Sequence, residues 1–124
     1  MPFMPTFVHR DYKAGNAVMQ QSAPGRWRVS GVFDFQEAFV GDGEEDLSRA
    51  TCEFATMDPA LGRAFLGAYL ERRPPRPGFG ERFAAYLIRD RLVIWWYGQK
   101  HGGWFPPELG LREWLEPQLT WRRF

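Results

Sequence analysis

The chain has little cysteine and no long hydrophobic run, and both scarcities narrow what the protein can be. Because Cys52 is the single cysteine, no internal disulfide can form, which favours a reducing compartment. The longest apolar run, residues 92–97, is far too short to span a bilayer, and the first residues lack the pattern of a signal peptide. We therefore expect a cytoplasmic protein without a membrane partner.

Neither basic nor acidic residues are in large excess. The 124 residues carry 16 basic and 15 acidic side chains, and the basic ones are almost all arginines scattered among acids. Nucleic-acid-binding domains concentrate Lys and Arg on one face or in one block, so we expect no nucleic-acid partner. The composition, with 17% aromatic residues, is typical of a globular chain, and the length predicts a single domain over residues 1–124.

The hydrophobic pattern predicts an α+β protein, mainly α, in which a β-hairpin is followed by about four helices. Strand-like runs at 17–20 and 29–35 flank the connector 21–28, which contains the turn signal Pro-Gly. The polar run 36–46 comes next, and from Leu47 onward apolar residues recur every three or four positions.

The predicted helices begin near residues 47, 58, 81 and 106. At Asp58-Pro59 an N-cap residue precedes a proline suited to the first helical turn. The segment 81–98 is long and uninterrupted, so we interpret it as one helix ending at Gly98, although 92–97 alone fits a buried strand equally well. Pro106-Pro107 is expected to open the last helix.

One loop near the N-terminus has the most distinctive chemistry. In 8-VHRDYKAGN-16, the residues His9, Asp11 and Asn16 form the pattern H-x-D-x-x-x-x-N. Phosphoryl transfer needs a carboxylate that reaches the attacking hydroxyl, and an amide oxygen a few residues later can bind Mg²⁺ without adding a full negative charge. A second carboxylate must hold the metal on the nucleotide phosphates, and Asp34, at the end of the second predicted strand, is the candidate.

Each of these residues has an ordinary structural explanation when it is taken alone. A His-x-Asp pair is usually structural, Asn and Gly are common in turns, and an Asp after a strand is more often a turn residue or a helix cap. The order of the features is more specific: a strand, the H-x-D-x-x-x-x-N loop, a hairpin, and then an apolar-apolar-Asp-Phe segment.

The loop 8–16 together with 29-VSGVFDFQEAFVGDGEEDLSRA-50 resembles the aminoglycoside phosphotransferase and choline kinase family, relatives of the protein kinases. The loop is similar to the family's catalytic loop, and 33-FDF-35 is similar to the kinase D-F-G. The segment 41-GDGEEDL-47 is similar to the family's G-D-x-x-x-D-L, which opens the first large helix of the C-terminal lobe. The resemblance is specific over residues 7–50 and rests only on the expected helices beyond them.

The resemblance implies roles for five residues. Asp11 is implied as the catalytic base or hydroxyl-orienting carboxylate, and His9 as an architectural residue of the loop. Asn16 and Asp34 are implied as ligands of Mg²⁺ on the phosphates of ATP. Lys13 is implied either as a contact to the transferred phosphoryl group or as a solvated side chain. The implied cofactors are therefore Mg²⁺ and ATP.

The resemblance extends to two further acidic residues, and the sequence differs from the family pattern at two positions. The resemblance implies that Asp46, and less directly Asp42, brace the loop through backbone hydrogen bonds; the alternative for both is a helix N-cap or a surface acid. Arg10 stands where the small-molecule kinases usually have glycine. Gln36 replaces the glycine of D-F-G, which many members of the family also lack.

A kinase of this type also needs a Gly-rich loop, a strand lysine and a paired glutamate in a nucleotide-binding lobe. Fewer than ten residues precede the loop, and Lys100 falls in a predicted turn. We therefore expect residues 1–124 to be the C-terminal lobe, with the N-terminal lobe absent and little or no activity in isolation. We expect the apolar flank around Phe3, Phe7 and Val8 to be uncovered, and to be buried by self-association into a homo-oligomer.

The acceptor is expected to be a small-molecule alcohol, such as an aminoglycoside, a sugar or a choline-like compound. Arginines dilute the acids of the helical part, so a polycation site is not indicated, and the aromatic residues there fit a core better than a pocket. Two alternatives stay open: a non-catalytic interaction or assembly module derived from such a kinase, and a metal-dependent phosphohydrolase that uses Asp11 and Asp34.

Overall fold

The computed structural model describes residues 4–119 and contains, within that range, four strands and four α-helices. The strands are β1 (Thr6–Val8), β2 (Ala17–Ala23), β3 (Arg26–Val32) and β4 (Phe39–Gly41). The helices are α1 (Glu45–Met57), α2 (Pro59–Arg72), α3 (Phe79–His101) and α4 (Leu111–Leu119). The predicted class, α+β and mainly α with a hairpin followed by about four helices, is confirmed. The chain divides into two units, one ending at Arg73 and the other beginning at Pro74.

The β2–β3 hairpin is longer than predicted, and its turn is shorter. The strands pair antiparallel from Ala17 opposite Val32 up to the two-residue turn Pro24-Gly25. Gly25 has a φ of +71°, a left-handed conformation that glycine adopts without a Cβ clash. The prediction of a connector over 21–28 is therefore wrong, because a tight turn at Pro-Gly lets the flanking residues continue the ladder.

A second two-stranded sheet was not predicted. β1 pairs antiparallel with β4, with Phe7 opposite Val40, and β4 lies inside the run 36–46 that the sequence presents as a polar connector. Side chains alternate between faces along a strand, so Val8 is fully buried while Phe7 is 58% exposed. The expected uncovered apolar flank therefore includes Phe7 but not Val8, and Phe3 lies outside the described residues.

α1 and α2 pack against each other and supply most of the core of the first unit. As predicted, Asp58 caps α2: its Oδ1 accepts a hydrogen bond of 2.8 Å from the N–H of Ala60, and Pro59 occupies the first position. Gly62 lets the helices approach closely, since a Cβ there would lie 2.8 Å from the carbonyl oxygen of Thr51. The buried apolar residues of this unit are Val8, Leu47, Ala50, Cys52 and Leu66.

In the second unit α3 is longer than predicted, and Gly98 lies inside it rather than at its end. A Cβ at Gly98 would lie 2.5 Å from the ring of Phe105, so the glycine makes room for a buried aromatic side chain. α4 begins at Leu111, later than expected from Pro106-Pro107, because Pro106 and Pro107 belong to the turn that precedes it. Within residues 4–119 no helix has an apolar stretch of the length that crossing a membrane requires.

The aromatic residues of the second unit divide between core and surface. Phe105 is buried, and the indole N–H of Trp95 donates to the carbonyl oxygen of Leu109 at 2.9 Å. Trp96 and Trp104 are exposed. The expectation that these side chains form a core is therefore correct for only part of the set.

Candidate functional site

His9 connects the loop to the segment that carries Asp34. Its Nε2 lies 2.9 Å from the carbonyl oxygen of Phe33, and its Nδ1 accepts a hydrogen bond of 3.2 Å from the backbone N–H of Asp11. Because Nδ1 accepts, the ring proton is on Nε2, which donates to Phe33. Both ring nitrogens of this buried side chain are therefore engaged by backbone groups, the arrangement expected of an architectural histidine.

The Asp11 carboxylate lies between two cations. The Nζ of Lys13 is 3.1 Å from Oδ2, and the Nη2 of Arg49 is 2.7 Å from Oδ1. Oδ1 is buried and receives no hydrogen bond from residues 4–119, so its contact with Arg49 is an ion pair without hydrogen-bond geometry. Both carboxylate oxygens are thus engaged, which fixes the direction of the side chain.

The Asn16 amide is oriented by the same carboxylate. Its Nδ2 donates to the carbonyl oxygen of Asp11 at 2.8 Å and to the Oδ2 of Asp11 at 3.1 Å. Because both acceptors lie on the Nδ2 side, the Oδ1 of Asn16 points away from Asp11, and no group in the described part of the chain donates to it. Among the described residues this amide oxygen therefore has no hydrogen-bond partner, on a side chain that is itself buried.

Asp34 lies two residues beyond the end of β3, so the predicted strand 29–35 ends earlier than expected. Asn16 immediately precedes β2, and the pairing of β2 with β3 brings both residues to one end of the hairpin. The N–H of Phe33 donates to the carbonyl oxygen of Asn16 at 3.0 Å. The exposed Asp34 carboxylate accepts a hydrogen bond of 3.1 Å from Gln36, the residue at the glycine position of D-F-G.

Asp46 and Asp42 contact different backbone groups. The carboxylate of Asp46 accepts hydrogen bonds from the N–H of His9 at 2.7 Å and from the N–H of Arg10 at 2.6 Å. Burial raises the pKa of the Asp46 carboxyl above its ordinary value, and these two hydrogen bonds offset part of that rise. Asp42 accepts instead from the N–H of Glu44 at 3.1 Å, in the turn that leads into α1.

Backbone strain coincides with this site. Among the described residues, the non-glycine positions with positive φ are Arg10, at +70°, and Asp34, at +66°. An L-residue in this region costs about 1 kcal/mol or more, and such strain persists where the surrounding contacts hold it. Arg10 follows His9 and Asp34 follows Phe33, so the two strained residues flank the two ends of one hydrogen bond.

Arg49 contacts the loop but was not predicted from the sequence as a site residue. This residue lies on α1 three positions after Asp46, a spacing that places both side chains on one face of the helix. The signal available in the sequence was a basic residue at that spacing from the last acid of 41-GDGEEDL-47. Its contact with Asp11, 38 positions earlier in the chain, depends on how α1 packs against the loop and has no local pattern.

The predicted metal ligands fit a magnesium ion bound together with phosphate. Within residues 4–119 no group of three or more His, Cys, Asp or Glu side chains is placed to hold a metal ion. In phosphoryl-transfer sites, however, Mg²⁺ is usually held by one or two protein side chains, with water and phosphate oxygens completing its shell. The unbonded amide oxygen of Asn16 and the exposed carboxylate of Asp34, at one end of the hairpin, provide two oxygen ligands of that kind.

Comparison with known proteins identifies the family. The sequence model of the Phosphotransferase enzyme family, APH, matches residues 1–87, which include the loop, both sheets, α1, α2 and the start of α3. No curated protein and no solved structure matches the chain significantly. The family match covers well over half of the 124 residues. As the resemblance of the loop predicted, the chain belongs to the aminoglycoside phosphotransferase family of phosphotransferase enzymes.

Proposed function

We propose that residues 1–124 form the catalytic-loop and acceptor-binding lobe of an ATP-dependent phosphotransferase that acts on an alcohol group of a small molecule. The observation that carries the proposal is the joining of three segments of the family pattern. The loop, the Asp34 segment and α1 are held together by the hydrogen bonds of His9 to Phe33 and of Asp46 to the loop.

In the proposed reaction Asp11 orients the acceptor hydroxyl. The hydroxyl oxygen forms a bond to the γ-phosphorus of ATP, the bond from that phosphorus to the β–γ bridging oxygen breaks, and the hydroxyl proton leaves towards Asp11 or water. Contacts to both of its oxygens hold the Asp11 carboxylate in one direction. This supports a role in positioning the nucleophile, which is a large part of catalysis in phosphoryl transfer.

Asn16 and Asp34 would hold Mg²⁺ at the phosphates. When bound, the ion neutralises the charge that develops on the transferred group. The amide of Asn16 is fixed by Asp11, and Asp34 receives a hydrogen bond from Gln36, so both ligands are oriented before the metal arrives. Lys13, whose side chain is 38% exposed, would turn from Asp11 to the transferred phosphoryl group once that anion is present.

The nucleotide half of a complete site is not represented in these 124 residues. They contain no Gly-rich loop followed by a strand lysine, and Lys100 lies in the last turn of α3. Kinases turn over at about 1–100 s⁻¹ with both halves in place. Since this chemistry depends on positioning and charge neutralisation, we expect the isolated chain to transfer phosphate at well under about a thousandth of that rate.

A phosphoryl-transfer assay tests the proposal. The purified chain is incubated with Mg-ATP and a panel of aminoglycosides, sugars and choline-like alcohols. The variant Asp11→Ala is assayed in the same way. The control is Glu71→Ala on the exposed surface of α2, which removes the same charge. Any product is expected to be scarce, Mg²⁺-dependent and lost in Asp11→Ala but not in Glu71→Ala. Product that persists in Asp11→Ala would overturn the role of Asp11. Robust turnover by the wild-type chain would overturn the expectation that these residues lack the nucleotide half of the site.

A further inference from the structure

α1 presents two side chains of opposite polarity to the same stretch of the loop. Asp46 accepts from the N–H groups of His9 and Arg10. Arg49, one helical turn later, donates from Nη1 to the carbonyl oxygen of Arg10 at 3.5 Å and places Nη2 2.7 Å from the Asp11 carboxylate. An acceptor and a donor on one helix face therefore hold the peptide groups on both sides of Arg10.

Arg10 is the residue that needs this support. Its φ of +70° is a conformation that a non-glycine residue adopts at a cost of about 1 kcal/mol or more. The family resemblance leads one to expect glycine at this position, where the same φ carries no penalty. If Arg10 relaxed to a negative φ, the following peptide would rotate and the Asp11 side chain would leave its present direction.

Arg49 is the contact that ties Asp11 to the rest of the fold. The side chains of Arg49 and Asp11 are 25% and 18% exposed, so their ion pair is partly shielded from water and weakens little by solvent screening. Lys13 also contacts the Asp11 carboxylate, but it belongs to the same loop and moves with it. Because Arg49 is on α1, it fixes Asp11 against a helix of the core.

We propose that Arg49 is a positioning residue that fixes the direction of the Asp11 carboxylate through its ion pair with Asp11 and its contact with the carbonyl oxygen of Arg10. The inference rests on the proposed function, which gives Asp11 its task of orienting the hydroxyl. The planar guanidinium reaches both acceptors at once, whereas a lysine ammonium on a flexible stem would keep the charge without the second contact. Arg49 itself contacts neither substrate nor phosphate in this role.

The side-chain amide of Asn16 offers a direct readout of Asp11. Asn16 is the one asparagine of the chain, so protein made with ¹⁵N-labelled asparagine gives a single side-chain ¹⁵N signal in an NMR spectrum. Its Nδ2 donates to both the backbone and the carboxylate of Asp11, so the signal responds when either moves. A global loss of stability that left Asp11 in place would not shift it.

The experiment compares the metal-free chain with Arg49→Gln, Arg49→Lys and the control Arg63→Gln, an exposed arginine of α2. We expect the Asn16 side-chain signal to shift or broaden strongly in Arg49→Gln, less in Arg49→Lys, and not at all in Arg63→Gln. Adding Arg10→Gly to Arg49→Gln is expected to return the signal towards its wild-type position, because glycine adopts the required φ without support.

A wild-type Asn16 signal in folded Arg49→Gln would overturn the proposal, as would an equal shift in Arg63→Gln. If Arg49→Gln does not fold, Arg49→Lys decides in the same way, with and without Arg10→Gly. No metal is present in the measurement, so it is independent of the metal site. If the chain fails to bind metal while the Asn16 signal still responds to substitution of Arg49, the result counts against the proposed function and not against the positioning of Asp11.

Discussion

The Nε2 of His9 donates a hydrogen bond of 2.9 Å to the carbonyl oxygen of Phe33, and this contact joins two stretches of the chain that are 24 positions apart. One stretch contains Asp11 and Asn16, and the other contains Asp34. The spacing of the three candidate residues across the site therefore depends on a buried side chain that uses both of its ring nitrogens for backbone groups.

Replacement of His9 by alanine is expected to be strongly destabilising. It leaves the carbonyl oxygen of Phe33 and the N–H of Asp11 without their partner and opens a cavity below the Phe35 ring, whose centroid is 4.7 Å away. We expect a loss of about 2–4 kcal/mol in the free energy of unfolding, measured by urea denaturation. The matched control is His101→Ala on the exposed end of α3, which should stay within about 0.5 kcal/mol of wild type. Equal effects at the two histidines would contradict the structural role of His9.

The stability contributed by Asp46 should depend on pH with a definite sign. Burial raises the pKa of its carboxyl in the folded state, so over a range of pH the native protein holds a proton that the unfolded chain has lost. Its contribution is therefore largest below the unfolded pKa and declines as the pH rises through the folded pKa. The difference in unfolding free energy between wild type and Asp46→Asn should shrink from about pH 3 to about pH 7. A difference that grows with pH would show that the two backbone hydrogen bonds outweigh burial.

Gly15 in the loop and Gly25 in the hairpin turn give a matched pair for backbone strain. Gly15 lies in the 3-10 turn Ala14–Asn16 outside the left-handed region, and a Cβ there would meet no atom within 4 Å. Gly15→Ala should therefore be neutral or stabilising by up to about 1 kcal/mol. Gly25→Ala, at a φ of +71°, should destabilise by about 1–2 kcal/mol. Thermal unfolding of both variants tests this, and a destabilising Gly15→Ala would mean that the loop needs a conformation other than the one described.

We further expect the chain to self-associate through the face of the β1–β4 sheet that carries Phe7. Phe7 and Val40 are opposite each other in register and are 58% and 72% exposed, a pairing of apolar side chains that a second copy can cover. Light scattering should give at least twice the mass of 14.5 kDa, and Val40→Lys should lower it. Val93→Lys, which adds the same charge on the exposed surface of α3, is the control. A monomeric mass over a wide concentration range would rule out this expectation.

The order of the secondary-structure elements and the start of α2 were predictable, because both depend on residues close together in the sequence. The period of the apolar residues predicted the order of hairpin and helices, and the N-cap at Asp58 predicted the start of α2. The strand β4 has three residues, too few for its alternation to stand out from the surrounding polar run. Gly98 has the appearance of a helix end, but the ring of Phe105 packs where its side chain would be, and that contact exists only in the folded unit.

In the candidate site too, local relations were predictable from the sequence and tertiary contacts were not. Asp11 and Asn16 are five positions apart in one loop, so their relation to each other is local. The contacts of Asp46 and Arg49 with the loop span 36 or more positions and arise from tertiary packing. The resemblance to the kinases predicted a role for Asp46, because Asp46 matches a fixed position of the motif G-D-x-x-x-D-L; it predicted none for Arg49, which lies two positions beyond that motif.

The proposed metal site is tested most directly by Mn²⁺, which takes the same oxygen ligands as Mg²⁺ and broadens the NMR signals of nearby nuclei. The measurement follows the side-chain amide of Asn16 in ¹⁵N-asparagine-labelled protein during a Mn²⁺ titration, in wild type, Asp34→Ala and Glu71→Ala. If Asn16 and Asp34 hold the ion together, the Asn16 signal broadens at the same low Mn²⁺ concentration in wild type and Glu71→Ala and needs far more Mn²⁺ in Asp34→Ala. An Asn16 signal that stays sharp in wild type, or that broadens equally in all three proteins, would contradict a metal site shared by Asn16 and Asp34.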